Sequence, residues 1–363
     1  MLSARPIVLL PYKLDANIYV RELGRAYHAT GADVVFGFEN MFEPCVQPTL
    51  LHLHWPELYR SAPAGSEREK AQRLLSAIDT YRQGGAKVVW SVHNLAAHER
   101  SAEGIAEVVY QGVIDRTDLI VHHCARSVSL LSEIYRVGDQ TAQIVVPHGH
   151  YLAYPRGVTR ADARRWLGIP DDAFVYLHFG NIRGYKGLDD LFDAFDQVSV
   201  ENKWLLVAGR YASITGEGGW RDRWLMWRKQ RLGRRMTLRL TSVPDDRIQH
   251  YMAACDCTVL AHRQGLNSGV AVLAMTFGRP VVGPDIGCIG EVLRAGKNVL
   301  YKTGNAANLA AAMAQVSRLD PHEVEARNSA VAASWTWDAM AEKVLHHPAV
   351  GASSCALASN VSA

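Results

Sequence analysis

A polar turn before an apolar segment is the first place in this chain where chemistry could occur. Residues 262–283 read HRQGLNSGVAVLAMTFGRPVVG, in which the run 270–277 is apolar and of helical length. A buried helix needs its first N–H groups satisfied, and Ser or Asn can satisfy them as a cap. Free N–H groups and the helix dipole can also bind an anion. Either a capped core helix or a phosphate site is therefore predicted at the turn formed by Asn267, Ser268 and Gly269.

Cationic side chains follow two predicted strands of the same half of the chain. The sequence FGNIRGYKG places Arg183 and Lys186 in a loop that begins at Gly180, and LLVAGR places Arg210 after the next strand. An arginine fork and a lysine point charge suit a diphosphate. Because ligands of such sheets bind at the carboxyl ends of the strands, we expect these groups and the turn at 267–269 to bind one phosphate-bearing ligand.

The spacing of these residues differs from that of the common nucleotide motifs. It matches neither GxxxxGK[ST] nor GxGxxG, which disfavours ATPases and dehydrogenases. No strong metal-carboxylate motif is present, so we expect no metal, with cations and a helix dipole replacing Mg²⁺ at a leaving diphosphate. The turn from Val243 to Asp245 follows a third strand and could present backbone groups to a nucleobase, although Asp245 could equally cap the next helix.

Composition indicates a soluble globular protein with two ordinary domains. The chain has 363 residues, of which 48% are hydrophobic and 21% charged. A formal net charge of +3 is too weak to indicate a nucleic-acid partner. No window approaches the roughly 18 apolar residues of a membrane-spanning helix, and the first apolar run is too short for a signal peptide. The six cysteines form no CxxC pair, which favours a reduced, cytoplasmic protein.

Short apolar runs alternate with amphipathic segments throughout the chain. This alternation predicts an α/β protein with two doubly wound, Rossmann-like parallel sheets that face a cleft. The predicted strands are Ile7–Leu10, Asp33–Phe36, Leu50–His54, Val88–His93, Leu119–His122 and Ile144–Pro147, then Phe174–Phe179, Trp204–Ala208, Thr237–Leu240, Cys257–Ala261, Pro280–Val282 and Asn298–Tyr301.

Histidine and aromatic residues are concentrated at the strand ends of the first half. They occur in LHLHWPE, VHNLAAHE and PHGHY. Each histidine could simply be a hydrogen-bonded residue that packs a strand end, and no third ligand has metal-site spacing. Together they predict a ligand-binding edge, with the tryptophan and tyrosine as apolar platforms for a ring of the ligand. The candidate residues are Asn17, His54, Trp55, Asn94, His98, His148, His150 and Tyr151.

The second half resembles the donor domain of GT-B glycosyltransferases. The matching stretches are HFGNIRGYKGLDDLFDAF, WLLVAGR, YMAACDCTVLAHRQGLNSGVAVLAMTFGRPVVGPDIGCIGEVL and NVLYKTGNAANLAAAM, which cover most of residues 174–315. With the first-half motifs, the chain resembles more narrowly the bacterial exopolysaccharide glycosyltransferases of the xanthan β-mannosyltransferase type. This resemblance implies a sugar-nucleotide co-substrate, with GDP-mannose as the first choice, and a polyprenyl-diphosphate-linked oligosaccharide acceptor.

The resemblance also bears on stereochemistry. Retaining members carry two glutamates where this chain has Gly265 and Leu273, so an inverting reaction is favoured. Inversion needs a base beside the acceptor hydroxyl. Glu57 is the first candidate, followed by Glu99, Asp15 and His93. A retaining transferase with a UDP-sugar, an inactive GT-B-like binding module, an epimerase and a phosphorylase are the alternatives.

The domain boundaries follow from the same pattern. We predict an acceptor-binding domain at 1–156, a donor-binding domain at 157–330, a helix at 331–348 that returns to the first domain, and a disordered tail at 349–363. The segment WRDRWLMWRKQRLGRRMTLR combines tryptophan with basic residues, which suits peripheral contact with the inner leaflet, or a helix that packs its tryptophans inward.

Overall fold

The computed structural model describes residues 5–15, 17–95, 104–211, 222 and 235–351. The chain forms two compact units. The first comprises Met1–Gly149 with Thr336–Ala363, and the second comprises His150–Trp335. The predicted fold class is confirmed, because each unit contains a six-stranded parallel sheet with helices between its strands.

The sheet of the first unit has the order β2-β1-β3-β4-β5-β6. All of its strand pairs are parallel. The strands are β1 (Ile7–Leu10), β2 (Asp33–Phe36), β3 (Leu50–Leu53), β4 (Lys87–Ser91), β5 (Leu119–His122) and β6 (Ala142–Val145). The helices are Ile18–Ala29, Glu39–Phe42, Glu67–Gln83, Ile105–Ile114, Ala125–Ile134, Trp337–Leu345 and Pro348–Gly351, with a 3-10 helix at Pro56–Ser61.

The sheet of the second unit has the order β12-β11-β10-β7-β8-β9. The strands are β7 (Phe174–Phe179), β8 (Lys203–Ala208), β9 (Met236–Arg239), β10 (Cys257–Val259), β11 (Val281–Pro284) and β12 (Val299–Tyr301). The α-helices are Arg160–Leu167, Leu188–Gln197, Ile248–Ala254, Gly269–Thr276, Gly287–Ala295, Ala306–Val316 and Pro321–Ala333. Two 3-10 helices occur at Gly184–Lys186 and Asp245–Arg247.

Short polar contacts fix where the helices begin. The Asn17 side chain accepts from the Tyr19 N–H at 2.9 Å and caps the helix Ile18–Ala29. Ser66 and Glu69 form a reciprocal capping box at the start of Glu67–Gln83. These caps satisfy N–H groups that have no partner within a helix. Sequence signals of this kind account for the local boundaries.

A buried arginine connects several elements of the second unit. Arg164 is fully buried, and its guanidinium donates to the carbonyls of Ala254, Pro170 and Asp171 and to the Asp256 carboxylate at 2.7 Å. Asp256 also accepts from the Val175 N–H at 2.7 Å. Paired in this way, the buried charge ties the helix Arg160–Leu167 to the start of β7 and β10.

The division of the chain differs from the predicted one in three respects. The first crossing between units lies after Gly149 instead of after residue 156. The helix Trp337–Leu345 packs on Ile18–Ala29 of the first unit, in agreement with the predicted return, but the crossing that leads to it lies at 335–336 instead of at 330–331. Pro348–Gly351 is helical, whereas the rest of the predicted tail lies outside the described residues. The tryptophans of the basic segment lie outside the described residues as well, whereas its last four residues form β9 (Met236–Arg239).

Candidate active site

Lys186 is a buried cation at the carboxyl end of the second sheet. It ends the 3-10 helix that follows β7, and only 9% of its surface is exposed. A Cβ atom built on Gly180 would lie 3.3 Å from Lys186 Nζ and 3.3 Å from Val270 Cγ2. The loop after β7 and the helix Gly269–Thr276 therefore meet at Gly180. Burial, and then the charge of Arg183, lower the pKa of Lys186 to about 8.

The start of the helix Gly269–Thr276 presents backbone donors. Ser268 is the N-cap residue, but its side chain makes no capping hydrogen bond, so Ser268 does not provide the side-chain cap that was predicted as an alternative. The first N–H with a backbone acceptor is that of Ala271, which donates to Ser268 O at 3.0 Å. Within the described part of the chain, the N–H groups of Ser268, Gly269 and Val270 have no acceptor. These donors and the helix dipole favour an anion.

Two further arginines lie on the loops that follow β7 and β8. Arg183 is half-buried and Arg210 is exposed. Neither guanidinium makes a hydrogen bond or an ion pair within the described residues. The backbones of the two loops are joined, because the Ile182 N–H donates to Arg210 O at 2.9 Å. Arg263 differs from both, because it pairs with Asp189 and Asp190 at 2.7 Å each and is therefore occupied.

Two glycines allow the backbones of this edge to approach each other. Gly209 has φ +147°, and a Cβ there would lie 2.0 Å from the Gly180 carbonyl oxygen. Gly187 has φ +59°, and its Cβ would lie 2.2 Å from Ala261 O. Any side chain would push these loops apart. Glycine is therefore required for the close packing of the loops that carry the cations.

Two histidines beside Lys186 were not among the predicted site residues. His178 is the fifth residue of β7, and His262 lies three residues after β10. Their side chains are 1% and 3% exposed. His178 Nε2 and His262 Nδ1 are buried without a hydrogen-bond partner in the described residues. Burial, followed by the charge of Lys186, lowers the pKa of His178 to about 4 and that of His262 well below its usual value.

The first unit contains a cluster of aromatic rings around Tyr19, which we call the imidazole cluster. Its histidines are His52, His54, His93, His123 and His148. The Tyr19 hydroxyl lies 3.2 Å from His123 Nε2, and its ring contacts four of these imidazoles edge to face. Trp337 contacts Tyr19 from the helix Trp337–Leu345. The ends of β3, β4, β5 and β6 thus meet aromatic rings from two helices of the same unit, Ile18–Ala29 and Trp337–Leu345.

Burial keeps the imidazole cluster neutral. It lowers the pKa of His52 and His123 to about 3 and that of His148 to about 4. The pKa values of His54 and His93 also lie well below the usual one, since neighbouring imidazoles add to the cost of burial. His54 Nδ1 lies 3.3 Å from His93 Nε2, while His54 Nε2 is buried without a partner in the part of the chain that is described.

The candidate bases of the first unit lie in different surroundings. Glu57 lies in the first turn of the 3-10 helix Pro56–Ser61 and accepts from the Tyr110 hydroxyl at 3.0 Å. His93 stacks on Trp55, with ring centroids 4.7 Å apart. Asp15 is exposed in a turn. Glu99, together with the predicted acceptor residue His98, lies outside the described residues.

The predicted acceptor residues do not all lie together. His54, Trp55 and His148 belong to the imidazole cluster or contact it. Asn17 serves as a helix cap, and Asn94 is half-buried with its Nδ2 unpartnered among the described residues.

His150 and Tyr151 belong to the second unit instead of the predicted first domain. Tyr151 is 8% exposed and stacks on Tyr154, so its ring is already covered on that side. The predicted nucleobase residues Val243 and Asp245 are half-buried and exposed, respectively, and Asp245 opens the 3-10 helix Asp245–Arg247.

The described residues contain neither a metal-ligand cluster nor a membrane-spanning helix. Within these residues no group of three His, Cys, Asp or Glu side chains could hold a metal ion. No helix in the same ranges is both long and apolar enough to cross a bilayer. The rings of the imidazole cluster pack against one another instead.

Arg183, Lys186 and the start of the helix Gly269–Thr276, which together we call the cationic edge, lie in a part of the chain that is similar to a known family. The profile of the family described as Glycosyl transferases group 1 matches residues 159–333. These residues form a group 1 glycosyltransferase domain. The GDP-mannose:glycolipid 4-beta-D-mannosyltransferase of Xanthomonas campestris pv. campestris is 27% identical to this chain over 247 residues, which are 65% of this chain and 61% of that protein.

Two further similarities support this assignment. The D-inositol 3-phosphate glycosyltransferase of Thermobispora bispora is 27% identical over 276 residues, or 72% of this chain and 64% of its own length. The chain thus spans less than two thirds of both curated relatives. HepE of Anabaena, solved in complex with UDP-glucose, superposes with a TM-score of 0.68 and 17% identity over 93% of this chain and 98% of that one. The group 1 domain thus lies in a chain with the GT-B fold, as predicted.

Proposed function

We propose that this protein is a metal-independent, inverting glycosyltransferase that moves a sugar from a nucleoside diphosphate sugar to a lipid-linked oligosaccharide. One observation carries the proposal. Lys186 is nine-tenths buried, its ammonium has no ion pair or hydrogen bond within the described residues, and it shares Gly180 as a neighbour with the donor-rich start of the helix Gly269–Thr276. A buried cation without a counter-ion is costly, and a bound diphosphate would supply the missing charge.

The same groups account for the chemistry of the leaving group. When the bond between the sugar and the diphosphate breaks, negative charge develops on the phosphate oxygens. Donors that are already oriented towards that charge stabilise the transition state. The Lys186 ammonium and the N–H groups at 268–270 are such donors, and Arg183 lies on the same loop as Lys186. In this proposal they take the place of a divalent ion.

One relative favours a particular donor sugar. The name of the Xanthomonas protein specifies GDP-mannose and a β-linkage to a glycolipid. We therefore propose GDP-mannose as the donor and exopolysaccharide biosynthesis as the setting. The HepE complex with UDP-glucose favours a second candidate, a transferase that uses a UDP-sugar. Both candidate donors would bind through the same diphosphate-binding residues, so they differ in the nucleobase that the protein prefers.

The proposal of an inverting reaction depends on the residues at positions 265 and 273 of the second unit. Gly265 has no side chain, and Leu273 is 5% exposed inside the helix Gly269–Thr276. Neither can place a carboxylate beside the developing positive charge of the sugar. A direct displacement then needs a base that takes the proton of the acceptor hydroxyl. We propose Glu57 for this role, with His93 as the alternative on the same unit.

The acceptor and the location complete the proposal. A polyprenyl-diphosphate oligosaccharide lies at the inner leaflet, so the enzyme would be cytoplasmic and would contact the membrane peripherally. Sedimentation with anionic liposomes measures this contact. A protein that stays entirely in the supernatant would contradict it.

The donor proposal is tested by thermal shift with GDP and UDP. A ligand present at 100 times its Kd stabilises by about 2.7 kcal/mol, which corresponds to a rise in Tm of roughly 5–10 °C for a unit of this size. We expect GDP to raise Tm more than UDP does. The Lys186→Ala variant should lose most of the shift, whereas Lys302→Ala, an exposed lysine of the same unit, should keep it.

Each outcome of that experiment has one meaning. A larger response to UDP than to GDP overturns the GDP-mannose assignment and favours the second candidate. No response to either nucleotide overturns the diphosphate site itself. With a turnover assay in hand, NMR of the product gives the anomeric configuration, and retention would contradict the proposed displacement.

A further inference from the structure

We infer that His178 and His262 make nucleotide binding proton-coupled, so that an imidazolium joins Lys186 in holding the diphosphate. This inference rests on the proposed function, because it assigns a further role within the same site. It starts from geometry. The two imidazoles lie at the carboxyl ends of neighbouring strands, β7 and β10, which pair in parallel. Both rings are nearly fully buried, and both interact electrostatically with Lys186.

The tautomer of His178 is fixed by its single hydrogen bond. His178 Nδ1 lies 3.3 Å from the carbonyl oxygen of Val259. A carbonyl can only accept, so Nδ1 carries the proton in the neutral ring. Nε2 is then a bare lone pair, buried and without a donor in the described part of the chain. A phosphate oxygen cannot bond to that lone pair unless Nε2 is protonated.

The same strand face leads from His178 to the anion site. Residues 176, 178 and 180 alternate onto one face of the strand and its extension. Gly180, the next position on that face, is the residue against which Lys186 Nζ and Val270 Cγ2 lie. His262 approaches from the loop after β10, where its ring lies 6.0 Å from that of Tyr185. The two imidazoles and the ammonium therefore lie at one edge of the sheet.

The charges that face this pair are cationic. Lys186 and Arg183 lie on the loop after β7, and Lys186 disfavours protonation of both rings. The nearby carboxylates Asp189 and Asp190 are paired with Arg263. Tyr185 is the other titratable neighbour, and its pKa is raised by burial. The described part of the helix Gly269–Thr276 contributes no ionisable side chain.

A bound diphosphate reverses this balance. It neutralises Lys186 and places negative charge beside the two imidazoles, and an opposite charge nearby favours the protonated ring. One proton is taken from solvent onto His178 Nε2 or His262 Nδ1. The resulting N–H donates to a phosphate oxygen. The site thus gains a positive charge only when the anion is present, and loses it when the nucleotide leaves.

The test is calorimetry of GDP binding at pH 7.0 in two buffers that differ in ionisation enthalpy. The difference in apparent enthalpy gives the number of protons taken up. Lys186, with a pKa of about 8, is already about nine-tenths protonated at this pH and contributes about 0.1 proton. We expect the wild-type protein to take up at least 0.5 proton more than the His178→Gln variant. The ionisation of GDP itself is common to both proteins and cancels in that difference.

Two further variants keep the result interpretable. His250→Gln removes another partly buried imidazole of the same unit, which packs against the Trp166 ring, and should leave proton uptake unchanged. His262→Gln tests the second ring if His178→Gln fails to fold. Between pH 6 and 7, GDP affinity of the wild type should fall up to tenfold relative to the variant with reduced uptake.

The outcomes separate this inference from the proposed function. Binding of GDP or UDP without a difference in proton uptake between the wild type and both histidine variants overturns the inference and leaves the diphosphate site standing. Absence of binding by both nucleotides overturns the proposed function instead.

Discussion

The imidazole cluster of the first unit should make that unit acid-sensitive. Its five histidines are neutral in the folded protein, because burial depresses their pKa values to about 4 or lower where a value is resolved. In the unfolded chain each imidazole titrates near pH 6.5. Below that pH the unfolded state binds more protons than the folded state, so stability is present above about pH 6.5 and is lost as the pH falls towards 4.

The magnitude depends mainly on the unfolded-state pKa. Between pH 7.5 and pH 5.5, protonation of one imidazole stabilises the unfolded chain by about 1.4 kcal/mol relative to a ring that stays neutral when folded. Five such rings give about 7 kcal/mol. This is a large share of the 5–15 kcal/mol typical of a whole protein. The first unit should therefore approach its unfolding midpoint near pH 5.5 without any denaturant.

Urea unfolding at the two pH values measures the effect. Trp55 and Trp90 of the first unit report the transition by fluorescence. Replacing one cluster member, as in His148→Phe, should reduce the pH-dependent loss by about 1.4 kcal/mol, whatever it does to stability at pH 7.5. The exposed His28 provides the control, and His28→Gln should leave the loss unchanged.

Two results would refute the reasoning. A total loss below about 2 kcal/mol would mean that the folded cluster accepts protons without unfolding. A variant that loses as much as the wild type would mean that the replaced ring does not contribute.

Three other predictions follow from contacts in the two units. Arg164→Ala should cost about 3 kcal/mol of stability, because it leaves Asp256 without its buried guanidinium, and urea unfolding at pH 7.5 measures the loss. Gly187→Ala should abolish the GDP thermal shift, because the left-handed φ and the 2.2 Å approach to a carbonyl oxygen force the loop to move; an unchanged shift would show that the loop tolerates a Cβ. Glu57→Gln should lower kcat at least 100-fold if Glu57 is the base, whereas an effect of that size confined to His93→Gln would transfer the role to His93.

The fold was largely predictable because hydrophobic periodicity is a local signal. Every predicted strand overlaps one observed strand, and the differences are confined to a few terminal residues. For example, the prediction Val88–His93 extends past the observed β4 at Ser91 into residues that form the site. Such ends carry apolar side chains, so the hydrophobic pattern predicts that they belong to the strand. Their backbone, however, no longer forms hydrogen bonds with the neighbouring strand.

The cationic edge of the second unit was predictable for a topological reason. Parallel strands bring their carboxyl ends to one edge, so Lys186 and the turn at 267–269 could be grouped from the order of the elements alone. What the sequence did not reveal was their burial. A lysine in a glycine-rich loop is expected to be exposed. Lys186 is buried because the glycines allow the loops to pack closely around its aliphatic side chain.

The residues missed in the first unit depend on long-range packing. Tyr19 and Trp337 are 318 positions apart, and neither stands in a motif that suggests a shared contact. His123 could have been found, because VHHCA repeats the pattern of histidine at the end of an apolar strand that LHLHW and SVHN show. His178 lies inside a predicted strand, where a histidine is normally interpreted as a core residue and not as part of a binding site.

The return of the helix Trp337–Leu345 to the first unit has a consequence for biosynthesis. Gly149 fits against the Trp337 ring, where a Cβ would come within 2.3 Å of it, so the first unit needs residues that are translated after the whole of the second. On the ribosome, residues 150–335 can form their own sheet before the helix Trp337–Leu345, which completes the first unit, has been synthesised. A nascent chain stalled near residue 335 would therefore expose the apolar face of Ile18–Ala29, which makes that intermediate the natural client of a chaperone.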